Sequence, residues 1–470
     1  MKIVEGLCEF EGVERVHLMG IGGVGISALA LLLSDVGFKV DGCDLVRGKG
    51  MAKLEELGIA CELGHGADHI EKFLPQLLVY SSAVDSNHEE LTAARAIGIP
   101  TIGRGLALSR FFNVARGIGV AGTHGKTTTS SMIGLILEHA GLSPTLAIGA
   151  ETSDLAFSAR RGESDLFVAE IDESDGSFEF FKPALTVVTN IEWDHVNYFR
   201  TADDVMAAFV RFVRMRKPGA PLVICAEDEG SQALIDILRP DSHIVTCGWG
   251  RSFDWGAFDV ERKVGGGVFF SVARGKETLG RLELAVSGEH NVMNALVACA
   301  SATLLGVPFE SISDTLCGFR GVKRRFERIG EKKKGDGLID VIDDYGHHPT
   351  EIAVTLAAMR DVYPSRRLVV VFQPHRYTRT RAFYREIASA LKESDVTFLL
   401  PIYSAGEPYD DDISSASISG IMNRDGHDAV LCDDHEDALV KLDSALRPGD
   451  VLITLGAGNV TKLGEAYLER

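Results

Sequence analysis

The sequence predicts an α/β protein of several domains, each built on a parallel sheet. Three observations carry this. The chain has 470 residues, and at about 100–200 residues per domain that length means two to four domains. Short β-branched runs alternate with longer helical patterns, the order in which strands and crossover helices build parallel sheets. Gly-rich turns stand between strand and helix at two separate places, where an open α/β sheet puts its ligand. The strand runs are VERVHLMG, LLVYSSA, GIGVAG, LTVVTNI, PLVICA, RLVVVF, DVTFLLP and VLITLGAG. Their near-continuous apolar character fits sheets covered on both faces.

Taken in order, the runs fall into three blocks. The first opens with VERVHLMG and the turn GIGGVGIS and ends near Phe112. The second opens with GIGVAG and a second glycine turn and runs to about Arg320. The third follows KRRFERIGEKKKGDG, read as a charged connector, and extends from the strand LIDVIDDY to VLITLGAG and a final helix. The expected domains are therefore residues 1–112, 113–321 and 322–470. Within the middle block, FDWGAFDVERKVGGGVFFSVARGKETLGRLELAV reads as a β-hairpin subdomain.

Lys and Arg number 48 and Asp and Glu 67, a net charge of −19. So acidic a chain is a poor general nucleic-acid binder, because such binding needs cationic patches that displace phosphate counterions. Phosphate ligands remain open, since a few cations and backbone amides suffice for them. No run approaches the ~20 apolar residues that cross a bilayer; the longest compact one is Ala28–Leu33. The N-terminal MKIVEGLCEFEGVERV carries acids where a signal peptide carries an apolar core, so a cytoplasmic protein is expected. The eight cysteines are scattered without a CxxC pair. Neither a zinc site nor a disulfide framework is indicated, and reduced, mostly buried thiols are expected.

Gly122-Thr123-His124-Gly125-Lys126-Thr127-Thr128-Thr129 lies between an apolar strand and a helical pattern. There, helix N-terminal amides face phosphate oxygens, Lys126 adds a cation and a Thr hydroxyl can ligate Mg²⁺. Val120 stands where the first glycine of a full P-loop belongs. Gly20, Gly22, Gly23 and Gly25 form a GxGxxG turn after VERVHLMG, and Asp44 follows 19 residues after Gly25 at the end of KVDGCD, where a ribose-binding acid is expected. Two such turns point to one site for a nucleoside triphosphate and another for a second phosphorylated ligand.

EIDESD (Glu170–Asp175) and NIEWDH (Asn190–His195) follow strands DLFVAE and LTVVTN. Both lie beyond the C-terminal strand ends where α/β sheets carry their sites. Hard oxygen ligands suit Mg²⁺; Glu170 is the first-choice ligand and His195 a second-metal ligand. Glu173, Asp175 and Glu192 read instead as solvated, helix-capping loop residues. Arg376 and Arg379, three apart at the start of a helix, can share one face and grip a carboxylate or phosphate.

GTHGKTTT, EIDESD, NIEWDH, GEHNVMNA, RRFE, DDYGHHPTE, FQPHRYTRT and GAGN occur in this order, and together they resemble the Mur ligases of peptidoglycan synthesis over essentially the whole chain. DDYGHHPTE with FQPHRYTRT resembles the L-alanine-adding branch rather than the recycling branch. The resemblance implies a Rossmann-like N-terminal domain for the UDP-sugar, a central ATPase domain and a C-terminal Rossmann-like domain. It implies ATP and Mg²⁺ as cofactors and UDP-N-acetylmuramate and L-alanine as substrates. Gly122, Thr123, His124, Gly125, Lys126, Thr127 and Thr128 would hold phosphates, with Lys126 on the β and γ groups. Thr127, Glu170 and His195 would hold magnesium. His290, Asn291 and Asn294 would face adenine, although a polar helix N-terminus accounts for them equally. Arg325 and Asp344 would reach phosphate and ribose. His347, His375, Arg376 and Arg379 would meet the amino acid and carboxylate, and the glycine turn with Asp44, Ser81 and Ser82 the UDP-sugar. AIGAE (Ala147–Glu151) and IGRGLALSR (Ile102–Arg110) depart from the family pattern.

The chemistry so implied joins a carboxylate to an amine. A carboxylate oxygen is a poor leaving group, so ATP first makes an acyl phosphate; the amine attacks and phosphate leaves. Three rivals stand beside it: another ATP-dependent amide ligase of this fold, a nucleotide-sensing protein without turnover, and an NAD-dependent oxidoreductase. The sensor does not need the acid and histidine set of the middle block, and the oxidoreductase leaves GKTTT unexplained.

Overall fold

VERVHLMG forms strand Arg15–Met19 at the centre of a five-stranded parallel sheet. The computed structural model describes residues 10–149, 159–174, 176–239, 243–263 and 265–470. The sheet order is Ala60–Leu63, Lys39–Asp44, Arg15–Met19, Leu77–Tyr80, Thr101–Gly103. The order reverses beside Arg15–Met19, which opens a crevice at its C-terminal end, and GIGGVGIS occupies that crevice. Ala28–Leu33, the longest apolar run, lies in the helix Val24–Asp35 that follows.

GIGVAG becomes strand Arg116–Ala121, flanked in parallel by Leu185–Val188 and Leu166–Glu170. Leu222–Cys225 and Ile244–Trp249 extend the sheet in parallel beyond Leu185–Val188, and Thr145–Ala147 with antiparallel Ala159–Arg160 extend it on the other side. Helix Lys126–His139 is buried from Thr127 to Leu137, so it is a core element rather than a surface amphipath. Helix Arg104–Val114 carries Phe112, fully buried 5.7 Å from the Phe167 ring and 5.3 Å from that of Phe181. A Cβ on Gly117 would lie 2.4 Å from the Phe112 ring, so only glycine lets the strand approach that closely. The strands named so far belong to one compact unit, Met1–Ile191, Val205–Gly256 and Asn294–Thr315.

The second unit comprises Glu192–Asp204, Ala257–Met293 and Leu316–Arg470. Its strands Val268–Arg274 and Glu277–Leu284 form the expected antiparallel hairpin. Its six-stranded sheet has the order Glu327–Lys334, Gly337–Asp344, Val451–Leu455, Leu368–Phe372, Val396–Leu399, Ala429–Leu431. Apolar layers cover both faces, one with Ile342, Val370 and Phe372, the other with Val341, Val371 and Tyr467. The side-chain alternation of the strands divides them so. Each sheet with its helices is an α/β domain, three in succession along the chain.

One expectation is overturned here. KRRFERIGEKKKGDG is not a connector: Glu327–Lys334 is an edge strand paired antiparallel to Gly337–Asp344. Its charges conceal it in the sequence. They are also what an edge requires, because lysines on an outer strand discourage pairing with another chain.

Candidate functional site

The GKTTT turn owes its shape to two glycines. Gly122 has φ +139°, and a Cβ there would lie 1.9 Å from Thr189 Oγ1; Gly125 has φ +78° and caps helix Lys126–His139. Only glycine adopts both conformations without strain. Asn190 closes the turn, its Oδ1 accepting from His124 N at 2.9 Å and its Nδ2 donating to His124 O at 3.0 Å. Thr123 and Thr128 are buried in the turn and the first helical residues. Lys126 Nζ donates to Gly122 O at 2.6 Å and to Glu173 Oε2 at 2.9 Å. Burial pushes the Lys126 ammonium down, but Glu173, Asp172 and Glu170 outweigh it and hold the pKa above the usual lysine range. Thr127 Oγ1 donates to Glu170 Oε2 at 2.8 Å, and Gly149 N donates to the same oxygen at 2.9 Å. Glu173 corrects the expectation of a solvated loop acid: it is buried and ion-paired with Lys126. Asp175 and Glu151 lie outside the described residues.

At the first glycine turn, Gly20 has φ +80° and lies against Ser81, while Gly23 caps helix Val24–Asp35. Asp44 Oδ2 accepts from Gly22 N at 2.9 Å and its Oδ1 from Val46 N at 3.3 Å, so this acid holds the turn itself. A Cβ on Gly25 would lie 2.9 Å from Nη1 of Arg104. A cavity of about 300 Å³ opens there, lined by Gly23, Gly25, Ser81, Arg104, Glu170 and Asp172 among others. It joins the glycine turn to the acid beside Thr127. Ser82 is exposed and does not line it. Arg104, which lines this cavity, was not singled out in the sequence, although it lies in the segment IGRGLALSR that departs from the family pattern.

In the second unit a set of polar groups gathers around Asp194. Arg379, only 4% exposed, donates from Nε to Asp194 Oδ1 at 2.8 Å and from Nη2 to Oδ2 at 3.2 Å, and its Nη1 lies 3.1 Å from His375 Nδ1. Burial pushes the Asp194 carboxyl up, but Arg379, His195 and His347 outweigh it and hold it far below the usual carboxylate range. Asp194 Oδ1 also accepts from His195 N at 2.6 Å, and His195 has left-handed backbone, φ +51°. His347 Nδ1 donates to Tyr345 O at 3.1 Å. Burial first, then the Arg379 charge, pushes His347 down to about 3. His375 stacks on Tyr403 at 5.7 Å and is likewise pushed to about 3, by burial and by His347. Both rings are neutral at pH 7.

Two neighbours pin the same segment. Thr350 Oγ1 donates to Glu192 Oε2 at 2.7 Å, and Trp193 packs edge-on against Phe383 at 5.4 Å. Glu192 therefore is not a free loop acid. Arg376 and Arg379 do not share a helix face. Arg376 precedes helix Tyr377–Leu391 as its N-cap with φ +69°, and its Nη1 reaches Glu407 at 3.4 Å while Arg379 holds Asp194. The +69° backbone turns Arg376 out of the helical register that spacing alone assumed.

The remaining residues fall in separate places. Asn294 accepts from Thr129 Oγ1 at 3.2 Å and sits 2.6 Å from where a Gly125 Cβ would be, beneath the GKTTT turn. Asn291 Nδ2 donates to Ser287 O at 2.7 Å, which is helix-end anchoring. Burial, then Arg325, pushes His290 down to about 4. Arg325 pairs with Glu351 at 3.1 Å and lies over the Tyr345 ring. Asp344 accepts from the amides of Phe326 and Gly346, both at 2.7 Å, and burial pushes it up to about 6.

Asp194→Asn leaves the Arg379 guanidinium buried without its countercharge, so a loss of about 3–5 kcal/mol is expected. Because Asp194 is held below its unfolded value of about 3.9, its contribution is complete above that pH and is lost as pH falls below it. Urea unfolding between pH 6 and pH 2 measures this: the parent should lose stability below about pH 4 more steeply than the variant.

The family models match in three stretches: Mur ligase family, catalytic domain, over residues 15–116; Mur ligase middle domain over 120–302; and Mur ligase, glutamate ligase domain, over 324–458. The chain is 41% identical over 456 residues to the UDP-N-acetylmuramate–L-alanine ligase of Desulforapulum autotrophicum, covering 97% of this chain and 98% of that one. It is 40% identical over 460 residues to the enzyme of the same name from a Geobacter species, covering 97% and 98%. The crystal structure of the UDP-N-acetylmuramate–alanine ligase of Thermotoga maritima superposes with a TM-score of 0.80 at 28% identity, over 97% and 98% of the two chains. A murein peptide ligase from Psychrobacter arcticus shares the fold, with a TM-score of 0.73 at 24% identity over 97% and 98%. The glycine turns, the acid beside Thr127 and the Asp194 cluster thus lie on a scaffold matched from end to end, and the chain belongs to the Mur ligase family.

Proposed function

We propose that the protein is an ATP-dependent ligase that joins L-alanine to the carboxylate of UDP-N-acetylmuramate through an acyl phosphate, releasing ADP and phosphate in the cytoplasm. The observation that carries this reading is the GKTTT turn, with Lys126 buried among carboxylates at the N-terminus of a core helix. Relatives of that name, about 40% identical over nearly the whole chain, support the choice of substrates.

Residues 1–112, 113–321 and 322–470 are the proposed domains for the sugar nucleotide, ATP and the closing of the site. In the first, the GxGxxG turn and Ser81 would hold the UDP-sugar, with Arg104 a further cation in the cavity that reaches Glu170. Asp44 would keep the turn in shape, and Ser82 would act from the rim. In the central domain, the amides of Gly122–Thr128 face the phosphates. Lys126 exchanges Glu173 for phosphate and meets the charge that builds on the transferring group.

Thr127 and Glu170 fit a magnesium ion: their oxygens are hard donors 2.8 Å apart, close to the ~2.9 Å between adjacent ligands of an octahedron with 2.0–2.1 Å bonds. His195 is the proposed holder of a second ion. Bound magnesium would neutralise phosphate charge as the carboxylate attacks. His290, Asn291 and Asn294 are assigned to adenine, and Arg325 and Asp344 to phosphate and ribose. His347 and His375 are too weakly basic, at about 3, to draw a proton from an ammonium at neutral pH. They serve as neutral hydrogen-bonding groups beside Arg376 and Arg379, which orient the carboxylates.

Phosphate release with UDP-N-acetylmuramate, ATP, Mg²⁺ and single amino acids tests the reading. L-alanine should support turnover, whereas a tripeptide or glutamate should not. Lys126→Ala should lower kcat by about 10²-fold or more in a folded protein. Since that change strands Glu173, Lys126→Met with Glu173→Gln repeats the test with the charge balanced. Near-normal release by either folded variant would remove Lys126 from the mechanism. Arg104→Ala should raise the KM for the sugar nucleotide by about 10- to 100-fold, the worth of one charge-assisted hydrogen bond, and leave that for ATP nearly unchanged.

A further inference from the structure

A second constellation lies beneath the first glycine turn, where no step of the proposed reaction uses it. His17 on strand Arg15–Met19, Cys43 on strand Lys39–Asp44, His69 on helix Asp68–Phe73 and Glu90 on helix Glu89–Ala96 are all buried. One donor atom from each lies within 4.8 Å of every other. Register explains the first two: His17 pairs with Asp41 and Met19 with Cys43, so His17 and Cys43 stand on one face of the sheet.

The separations resemble the edges of one coordination polyhedron. Cys43 Sγ is 3.5 Å from His17 Nε2 and 3.5 and 3.6 Å from the Glu90 oxygens, and His69 Nδ1 is 3.3 Å from Glu90 Oε1. A tetrahedral ion with bonds of 2.0–2.3 Å spaces its ligands about 3.3–3.8 Å apart. His17 Nε2 to Glu90 Oε1, at 2.7 Å, is shorter, a hydrogen bond. The next shell is built as metal-ligating histidines require: His17 Nδ1 lies 2.5 Å from Asp41 Oδ1, which sets Nε2 toward the cluster. Gly66 N donates to Glu90 Oε2 at 3.0 Å. His65, half-buried, reaches Cys43 Sγ with Nδ1 at 2.9 Å.

We propose that His17, Cys43, His69 and Glu90 form a binding site for one zinc ion or a similar thiophilic divalent cation. Thiolate and imidazole with one carboxylate select zinc over magnesium. On binding, the Cys43 thiol and the His17 Nε2–H that faces Glu90 each release a proton to solvent, and both imidazoles ligate in the neutral form. The Cys43 carbonyl accepts from Gly20 N at 2.8 Å and Ile21 N at 3.0 Å. The ion therefore sits one residue's backbone away from the GxGxxG turn and stiffens it.

The test uses the full-length protein, stripped with a chelator and titrated with Zn²⁺ or Co²⁺. The unmutated chain should take up about one equivalent tightly. Its cobalt form should show a thiolate-to-metal charge-transfer band. X-ray absorption of the zinc form should show a single sulfur at about 2.3 Å with nitrogen or oxygen neighbours at 2.0–2.2 Å. Cys43→Ser should abolish the band, Asp41→Asn should weaken binding about 10- to 100-fold, and Cys61→Ser should change nothing. No tight binding by the unmutated chain, a zinc shell without sulfur, or a cobalt band that survives Cys43→Ser would each overturn the site. The absorption measurement on the unmutated chain decides the matter even if a variant fails to fold.

Discussion

The buried fork between Arg379 and Asp194 is the interaction on which the second unit depends. Two charges at 4% and 3% side-chain exposure tolerate burial only because the geometry is bidentate and the remaining lone pairs are engaged. Asp194 is reached from strand Leu185–Val188 by a short loop. Glu192 on Thr350, Trp193 on Phe383 and Asp194 on Arg379 then bind that loop to the C-terminal helices. His195 is carried along by this triple attachment, on backbone that a non-glycine residue adopts only when its surroundings impose it. Burial keeps His347 and His375 neutral, with the Arg379 charge adding to it and Asp194 opposing it. The attachment that the ion pair anchors thus settles the position of a fourth residue.

The GKTTT turn works under the opposite constraint. Lys126 is surrounded by Glu173, Asp172 and Glu170, one cation among three carboxylates. Thr127 donates a hydrogen bond to Glu170. Lys126 and Thr127 are held in place by hydrogen bonds to Gly122, Glu173 and Glu170.

Much of this was legible from residue order. GIGVAGTHGKTTT and VERVHLMGIGGVG each join an apolar strand to a helix through glycines, the arrangement from which a phosphate-binding turn is expected. The place of Glu170 at the end of its strand was legible too. Other features were not. Glu173 looked like a loop acid because its partner, Lys126, lies 47 positions away. Arg376 looked helical because a φ of +69° has no sign in the residue type. Glu327–Lys334 looked like a linker because an edge strand needs no apolar face.

The sequence by itself determined the fold class, the succession of three α/β domains and the glycine turns, because periodicity and glycine placement are local and act within one strand–turn–helix unit. Only the tertiary structure decided which distant charges meet. Arg379 and Asp194 are 185 positions apart, and Arg104 enters the Glu170 cavity from another domain. The His17–Cys43–His69–Glu90 cluster takes one residue from each of four elements, without the CxxC spacing that would mark it. Such sites arise from strand register and helix packing, which bring side chains together in space regardless of their separation along the chain.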